Sequence, residues 1–308
     1  MKLFSKEAQQ TLSSQVCLKS RDVDICVLNA LDGSMPKDYV LDCMMMYQNK
    51  DGGFGNGLYI DNYNTNSSVY QVYEAFRLLE MSGFDKTCED KMYLDIINKA
   101  GNYLYNRCVM KDNKWNPNVK SNDDFAHSEL FSFTKENEEL FGYHPTIDLI
   151  GYSLVLFKET KAYYNKAMKI ARRIIDDFYK LDKLSKYEIM GFSNFLKMIS
   201  KLGLFTEDQK RISDKLTEYA EAMISLDFSD DELHPLDVMN LHSKKLDEAR
   251  ELELDYLVDS VAKFGMWDYN KGWGSDRYPE ADSAMLKWLG AVAVNNFYKL
   301  KECKRIEE

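Results

Sequence analysis

The run Gln48-Asn49-Lys50-Asp51-Gly52-Gly53-Phe54-Gly55-Asn56-Gly57 joins two helical patterns. An apolar segment, 39–47, precedes it, and Ser67 and Ser68 open the next periodic stretch. Its paired glycines permit positive φ and close backbone approach, while Asp51 is placed to accept from the amides of its own turn. No strand leads into the run and no Lys-Ser/Thr pair completes it, so it is not a phosphate cradle. Taken alone it is a tight helix-to-helix turn with Phe54 tucked beneath a neighbour.

Outward from this turn the periodicity is helical nearly everywhere. Val69, Val72, Tyr73, Phe76 and Leu79 follow the i, i+3, i+4, i+7 rule, and Ala167, Ala171, Ile174 and Phe178 repeat it. About eleven such segments are counted by that criterion, and no convincing strand. Thr206 with Gln209 reads as a capping box, and Gly33 and Gly83 as left-handed helix stops. Residues 281–300 are apolar on more than one face, whereas 161–180 carry Lys, Arg and Asp on a broad outer side. Inner and outer helices alternating along the chain build concentric rings, although periodicity alone also fits an open solenoid of helix pairs. The five prolines form no linker, which favours one domain over residues 1–308.

Composition removes several functions. The formal net charge is −10, with 40 Lys and Arg scattered among 50 Asp and Glu, so no basic stripe exists to neutralise phosphates and nucleic acid is not expected as a partner. The N-terminus lacks an apolar h-region, and the longest strongly apolar stretch, 149–157, is too short to span a bilayer. A soluble cytoplasmic protein with no integral membrane segment is the expectation. Six dispersed cysteines contain no C-x-x-C pair, which points to reduced thiols rather than disulfides or a zinc ribbon.

Gln48-x-x-x-Gly52-x-Phe54 resembles the Q-x-x-x-G-x-W/F repeat of squalene cyclases, in which the Gln and the aromatic residue tie one helix pair to the next. A degraded second copy, Val261-x-x-x-Gly265-x-Trp267, is followed by Tyr269, Gly272, Trp273 and Gly274. Copies so far apart suggest an array that closes. The chain further resembles small bacterial toroid proteins of unassigned activity, often labelled prenyltransferase-like, over 47–68, 122–127, 144–152 and 234–273. An acidic Pro-Asp pair usual in that group is reduced here to Asp61, and an aromatic pair after His127 is replaced by Glu129, Leu130 and Phe131. The resemblance implies an all-α fold, an α/α toroid of about five to six helix pairs in the terpenoid cyclase and protein prenyltransferase superfamily, with a ligand pocket at the ring's mouth.

Catalytic motifs are less complete than the fold signal. Asp227-Phe228-Ser229-Asp230-Asp231 has the wrong spacing for D-x-D-D, and Asp123-Asp124, Asp176-Asp177 and Asp230-Asp231 lack a D-D-x-x-D completion that would hold Mg²⁺. The Asp24-Ile25-Cys26 run is similar to the zinc ligands of protein prenyltransferases but lacks a suitably spaced His, so no metal is assigned and no cofactor is named. His127, flanked by Asp124 and Glu129, is the leading residue for proton transfer. His144 and His234 precede prolines and read as turn residues, and His242 has no evident partner.

If the ring closes, its first and last turns bring acids and aromatics together. His127, Asp61, Asp51 and Asp268 are then the catalytic candidates, and Tyr59, Asp148, Asp237, Trp267, Trp273 and Asp276 the ligand-binding ones. Aromatic lining suits an isoprenoid, whose carbocations are stabilised by π faces. Carboxylates beside aromatic faces equally suit a carbohydrate, with paired Asp residues as acid and base or nucleophile. A third reading is a binding scaffold without catalysis, its aromatics acting as core anchors. The small-molecule partner is therefore isoprenoid-like or carbohydrate, and whether the chain is an enzyme stays open at this level.

Overall fold

A computed structural model describes residues 1–261, 264–269, 272–273 and 277–308. Among them are twelve α-helices: α1 Lys6–Lys19, α2 Asp22–Asp32, α3 Tyr39–Tyr47, α4 Val69–Met81, α5 Lys91–Asn102, α6 Lys135–Phe141, α7 Thr146–Leu156, α8 Ala162–Phe178, α9 Lys186–Leu202, α10 Thr206–Met223, α11 Lys244–Asp259 and α12 Glu280–Glu302. A two-residue ribbon, Met110–Lys111 against Lys114–Trp115, is the β-sheet among the described residues. Local chemistry sets many helix ends. The Ser68 hydroxyl accepts from Gln71 N–H to start α4, Ser185 and Glu188 cap α9 reciprocally, and Gly33 (φ 78°) stops α2. Thr206 does not form the expected box. Phe205 precedes α10 in a left-handed conformation, and the Gln209 amide turns back to the carbonyls of Ile199 in the last turn of α9 and of Leu204 just beyond it.

The helices sort into two rings by the width of their buried faces. Every residue of α7 is buried and nearly every residue of α4, while α8 buries a single stripe formed by Tyr164, Ala167, Ala171, Ile174, Ile175 and Phe178. The inner ring runs α2, α4, α7, α9, the 3₁₀ turn Pro235–Val238, and α12, which packs back on α2. Lys299 of α12 bridges to Asp237 of the 3₁₀ turn at 2.9 Å. Outside, α1 lies on α2 and α12, α3 on α2, α5 on α3, α8 on α7, α10 on α9, and α11 on the 3₁₀ turn. Neighbouring inner helices run parallel: Tyr70 meets His144 (ring centroids 5.4 Å apart) and Phe76 meets Phe157 (6.0 Å) as α4 and α7 advance together. Six hairpins of one outer and one inner element thus form an α/α toroid, the fifth with its inner helix reduced to a 3₁₀ turn.

The repeat turns do the stapling their spacing implies. Gln48 Nε2 donates to Gly52 O (3.1 Å) and to Ile96 O in α5 (2.9 Å), and Phe54 is fully buried. At Gly52 (φ 93°) an added Cβ would lie 2.3 Å from Lys99 O, so the turn seats directly on α5. In the second copy Trp267 is buried, donates from Nε1 to Leu257 O at 2.9 Å and stacks on Phe4 at 5.6 Å. Phe4 N–H donates to Arg305 O and Glu307 N–H to Phe4 O, so both chain ends close the same seam. No described helix is long and apolar enough to cross a membrane.

Candidate functional site

The hole of the toroid is a cavity of about 710 Å³. Nine aromatic residues line it: Tyr59, Tyr70, Tyr73, Tyr152, Tyr187, Tyr269, Tyr298, Trp273 and Trp288. Because the inner helices are parallel, the lining is graded along the axis. Tyr59, Asp61, Tyr70, Tyr187 and Trp288 lie towards the helix N-termini, and Arg77, Glu80, Lys197 and Lys299 towards the C-termini.

Asp61, half-buried, is bonded directly by two of the lining rings. It sits on the loop after the Gly-rich turn, held by a polar clamp. Tyr59 N–H donates to Gln71 Oε1 (2.7 Å), Gln71 Nε2 to Asn62 O (2.9 Å), and Ser128 N–H to Asp61 O (2.9 Å). Asn62 and Asn64 both donate to Asn122 Oδ1, and all three asparagines are buried. One carboxylate oxygen of Asp61, Oδ1, accepts from both Trp273 Nε1 (2.8 Å) and Trp288 Nε1 (2.6 Å). Burial raises the Asp61 pKa, the Trp288 and Trp273 N–H groups oppose that rise, and Asp231, another lining residue, adds to it. The result is a carboxyl displaced towards its neutral form and fixed by one oxygen, with Oδ2 outside those two bonds. Burial also pushes the Tyr59 hydroxyl well above the usual phenol range.

The far end of the cavity is a set of ion pairs. Arg77 grips Glu74 through two bonds of 2.8 Å and donates to Asn295 Oδ1 at 2.7 Å. Burial would raise the Asp237 pKa, but the Lys299 ammonium and the His234 N–H hold it below the usual carboxylate range. Lys197 donates to Tyr298 Oη at 2.6 Å. Among the described residues the lining carries eight Asp or Glu against four Lys or Arg, an acidic excess. Among the described residues no group of three or more His, Cys, Asp or Glu is arranged to hold a metal ion.

The first and last turns of the ring do meet here, and the structure brings Tyr59, Asp61, Asp237 and Trp273 into the cavity wall. Five other expected residues, His127, Asp51, Asp148, Trp267 and Asp268, are not part of that wall. Only 3% of His127 is exposed; its Nδ1 lies 2.8 Å from Phe125 O and its Nε2 3.0 Å from Ser132 Oγ, while its backbone bridges Asn62 beside Asp61. Both ring nitrogens are spent on His127's own segment, which pairs with the loop that carries Asp61, so His127 braces the site instead of facing it. Asp51 is consumed by its own turn, accepting from Gly53 N–H (3.0 Å) and Ser67 Oγ (2.7 Å). Trp267 is a core anchor against Phe4, and Asp268 is exposed outside the lining. Asp276 lies outside the described residues. Asp148 does not line the cavity but supports a residue that does, His144.

Three contributors were not legible as such: Trp288, Tyr70 and His144. The His144-x-x-x-Asp148 spacing, one helical turn, was the available signal for the last, since it places an imidazole over a carboxylate on one face. His242, without an evident partner in sequence, lies 3.1 Å from Asp247.

No family profile and no curated protein sequence matches this chain. Among solved structures it is similar to the type II terpene cyclase MstE from Scytonema in its apo form, with a TM-score of 0.55 over 96% of this chain and 98% of that one, at 8% sequence identity. The likeness is one of fold: a terpenoid-cyclase-like toroid, matched nearly end to end.

Proposed function

We propose that the toroid encloses an isoprenoid-like, unsaturated apolar substrate and that Asp61 starts its isomerisation or cyclisation by donating a proton. The observation that supports this is the Asp61 carboxyl itself, raised in pKa by burial and pinned at Oδ1 by two indole N–H groups inside an aromatic cavity. Protonating an alkene requires a neutral carboxylic acid and a site that water does not enter. An apolar ligand filling the cavity displaces water from Asp61 and shifts it further towards the neutral form. The proton then leaves from Oδ2 to the substrate carbon, and the resulting cation is stabilised by the surrounding π faces. The acidic excess of the lining favours a neutral isoprenoid over its diphosphate, because Arg77 and Lys299 already serve Glu74 and Asp237.

The test is native mass spectrometry and product analysis with squalene, geranylgeraniol and geranylgeranyl diphosphate. The neutral probes are expected to bind more tightly than the diphosphate, and products formed in D₂O to carry one added deuterium. Asp61→Asn is expected to retain binding and lose conversion by about 10² or more. A panel without a binder, or Asp61→Asn turning over at the wild-type rate, overturns the reading.

A carbohydrate-active site is the second reading, favoured by Asp231, a second carboxyl close enough to Asp61 to raise its pKa. A glycan array with a hydrolysis screen separates the two. Glycan binding without turnover assigns a scaffold.

A further inference from the structure

Beside the acid, the cavity wall holds a second titratable unit that proton donation does not use. Asp148 is fully buried; its Oδ2 lies 2.8 Å from His144 Nδ1, and its Oδ1 accepts from Asn194 Nδ2 at 3.0 Å. Room for that carboxyl is built into α9, where a Cβ at Gly191 would lie 2.6 Å from Asp148 Oδ2. His144 Nε2 lies 3.1 Å from the Tyr70 hydroxyl, and both side chains line the cavity. The Tyr70 ring is wedged between Tyr59 (4.7 Å), Phe131 (4.8 Å) and Tyr73 (5.2 Å), which holds its hydroxyl against the imidazole, where it also meets the Tyr59 hydroxyl. A carboxylate–imidazole–phenol chain therefore runs from the core to the cavity surface. With a carboxylate at Nδ1 the ring carries its proton there, and Nε2 is left as an acceptor aimed at the Tyr70 O–H.

Resting on the reading of Asp61 as proton donor, we propose that Tyr70 is a further catalytic residue, the group that removes the proton ending the reaction, with His144 as the ultimate base behind it. A cation formed by proton transfer from Asp61 loses a proton from the adjacent carbon to the Tyr70 oxygen, and the C–H electron pair becomes the new double bond. In the same step the Tyr70 proton passes to His144 Nε2. Asp148 is a positioning residue that holds the ring tautomer and stabilises the imidazolium. Asp61 ends as carboxylate and His144 as imidazolium, and exchange with water after product release restores both, so no oxidant or reductant is needed.

The test uses the full chain labelled with ¹⁵N-histidine, the signals of His144 being assigned with His144→Gln among the four histidines. The expected result is a neutral ring with Nδ1 protonated and Nε2 accepting. Tyr70→Phe should move the Nε2 resonance to that of a non-hydrogen-bonded acceptor without changing the tautomer, and Asp61→Asn should leave both signals in place. An Nε2–H tautomer, or an Nε2 resonance indifferent to Tyr70→Phe, overturns the relay whatever becomes of Asp61. With squalene as substrate, Tyr70→Phe should still consume it while deprotonated alkene products fall about 10²-fold against water-quenched alcohols. An unchanged product ratio also overturns the relay, whereas unchanged squalene consumption by Asp61→Asn overturns the Asp61 reading and leaves the tautomer measurement standing.

Discussion

Trp288→Phe isolates one of the two bonds that hold the Asp61 carboxylate. The indole N–H donates to Oδ1 at 2.6 Å, and phenylalanine keeps a ring opposite Tyr59 and Tyr269 while deleting the donor. A hydrogen bond to a charged group contributes about 1.5–3 kcal/mol, so its loss moves the charged-to-neutral ratio of Asp61 towards neutral by roughly 10- to 150-fold. The pH dependence then has a definite sign. The Asp61 pKa is raised in the fold, so between the unfolded and folded values the native state binds more protons than the unfolded chain, and stability falls as pH rises through that window. Trp288→Phe extends the window upwards. Its cost in denaturant titrations should therefore be largest at neutral pH and shrink in acid by about 1.5–3 kcal/mol, leaving only the pH-independent packing loss. Asp61→Asn should flatten this part of the pH dependence in both backgrounds. Carboxyl ¹³C NMR of labelled aspartate reads the same shift directly. A Trp288→Phe penalty equal at every pH refutes the claim that the indole holds the ionised form.

Phe54→Ala should cost about 3–5 kcal/mol in equilibrium denaturation, because the ring is fully buried in the turn that joins two helix pairs; an unchanged midpoint would place it outside the packed core. Gly191→Ala drives a methyl to 2.6 Å from Asp148 Oδ2 and should destabilise by about 1–3 kcal/mol while shifting the His144 NMR signals. Arg305→Met tests the seam: the guanidinium, 1% exposed, donates to Lys2 O and Asp255 (2.8 Å each) and to Glu251 (2.5 Å). Its loss should cost about 1.5–3 kcal/mol and speed hydrogen exchange at the Phe4 amide, with unchanged protection there counting against a closed seam.

Legibility followed the range of the interactions. The Gln48-x-x-x-Gly52-x-Phe54 spacing showed the staple because the motif itself is local, with Gln48 reaching Gly52 O inside the turn, although its other acceptor, Ile96 O, lies 48 residues on. Closure was inferable from the second copy, since Trp267 kept the aromatic even where Val261 replaced the Gln. Asp61 was identifiable as one acid among several. Its distinction comes from Trp273 and Trp288, residues 212 and 227 positions away, and no local pattern encodes that meeting. His127 misled for the converse reason. Its flanking acids suggested a polarised ring, but two 3₁₀ turns direct the ring to Phe125 O and Ser132 Oγ, with Asp123 at 3.7 Å. His144 reads as a turn residue because a proline follows it, yet the carboxylate that sets its role stands one helical turn on, at Asp148.

The division of labour between turn and loop explains how so incomplete a motif set can leave a defined cavity. In the Gly-rich segment, Gln48, Asp51, Gly52 and Phe54 spend their side chains or backbone on the scaffold, and the chain reaches the cavity only at Tyr59 and Asp61. Between the two lie Asn56 and Gly57 with positive φ, which reverse the backbone, and just past Asp61 the buried Asn62–Asn64–Asn122 cluster locks the reversed loop against residues 121–128. Such a loop presents a single carboxyl at the axis with little freedom to rotate away, because its backbone carbonyl is also held by Ser128 N–H. The acid thus owes its position to a rigid polar clamp and its protonation behaviour to two indoles from the end of the chain. A ring that failed to close would keep the clamp and lose the indoles, so in this fold closure of the toroid and tuning of Asp61 are one event.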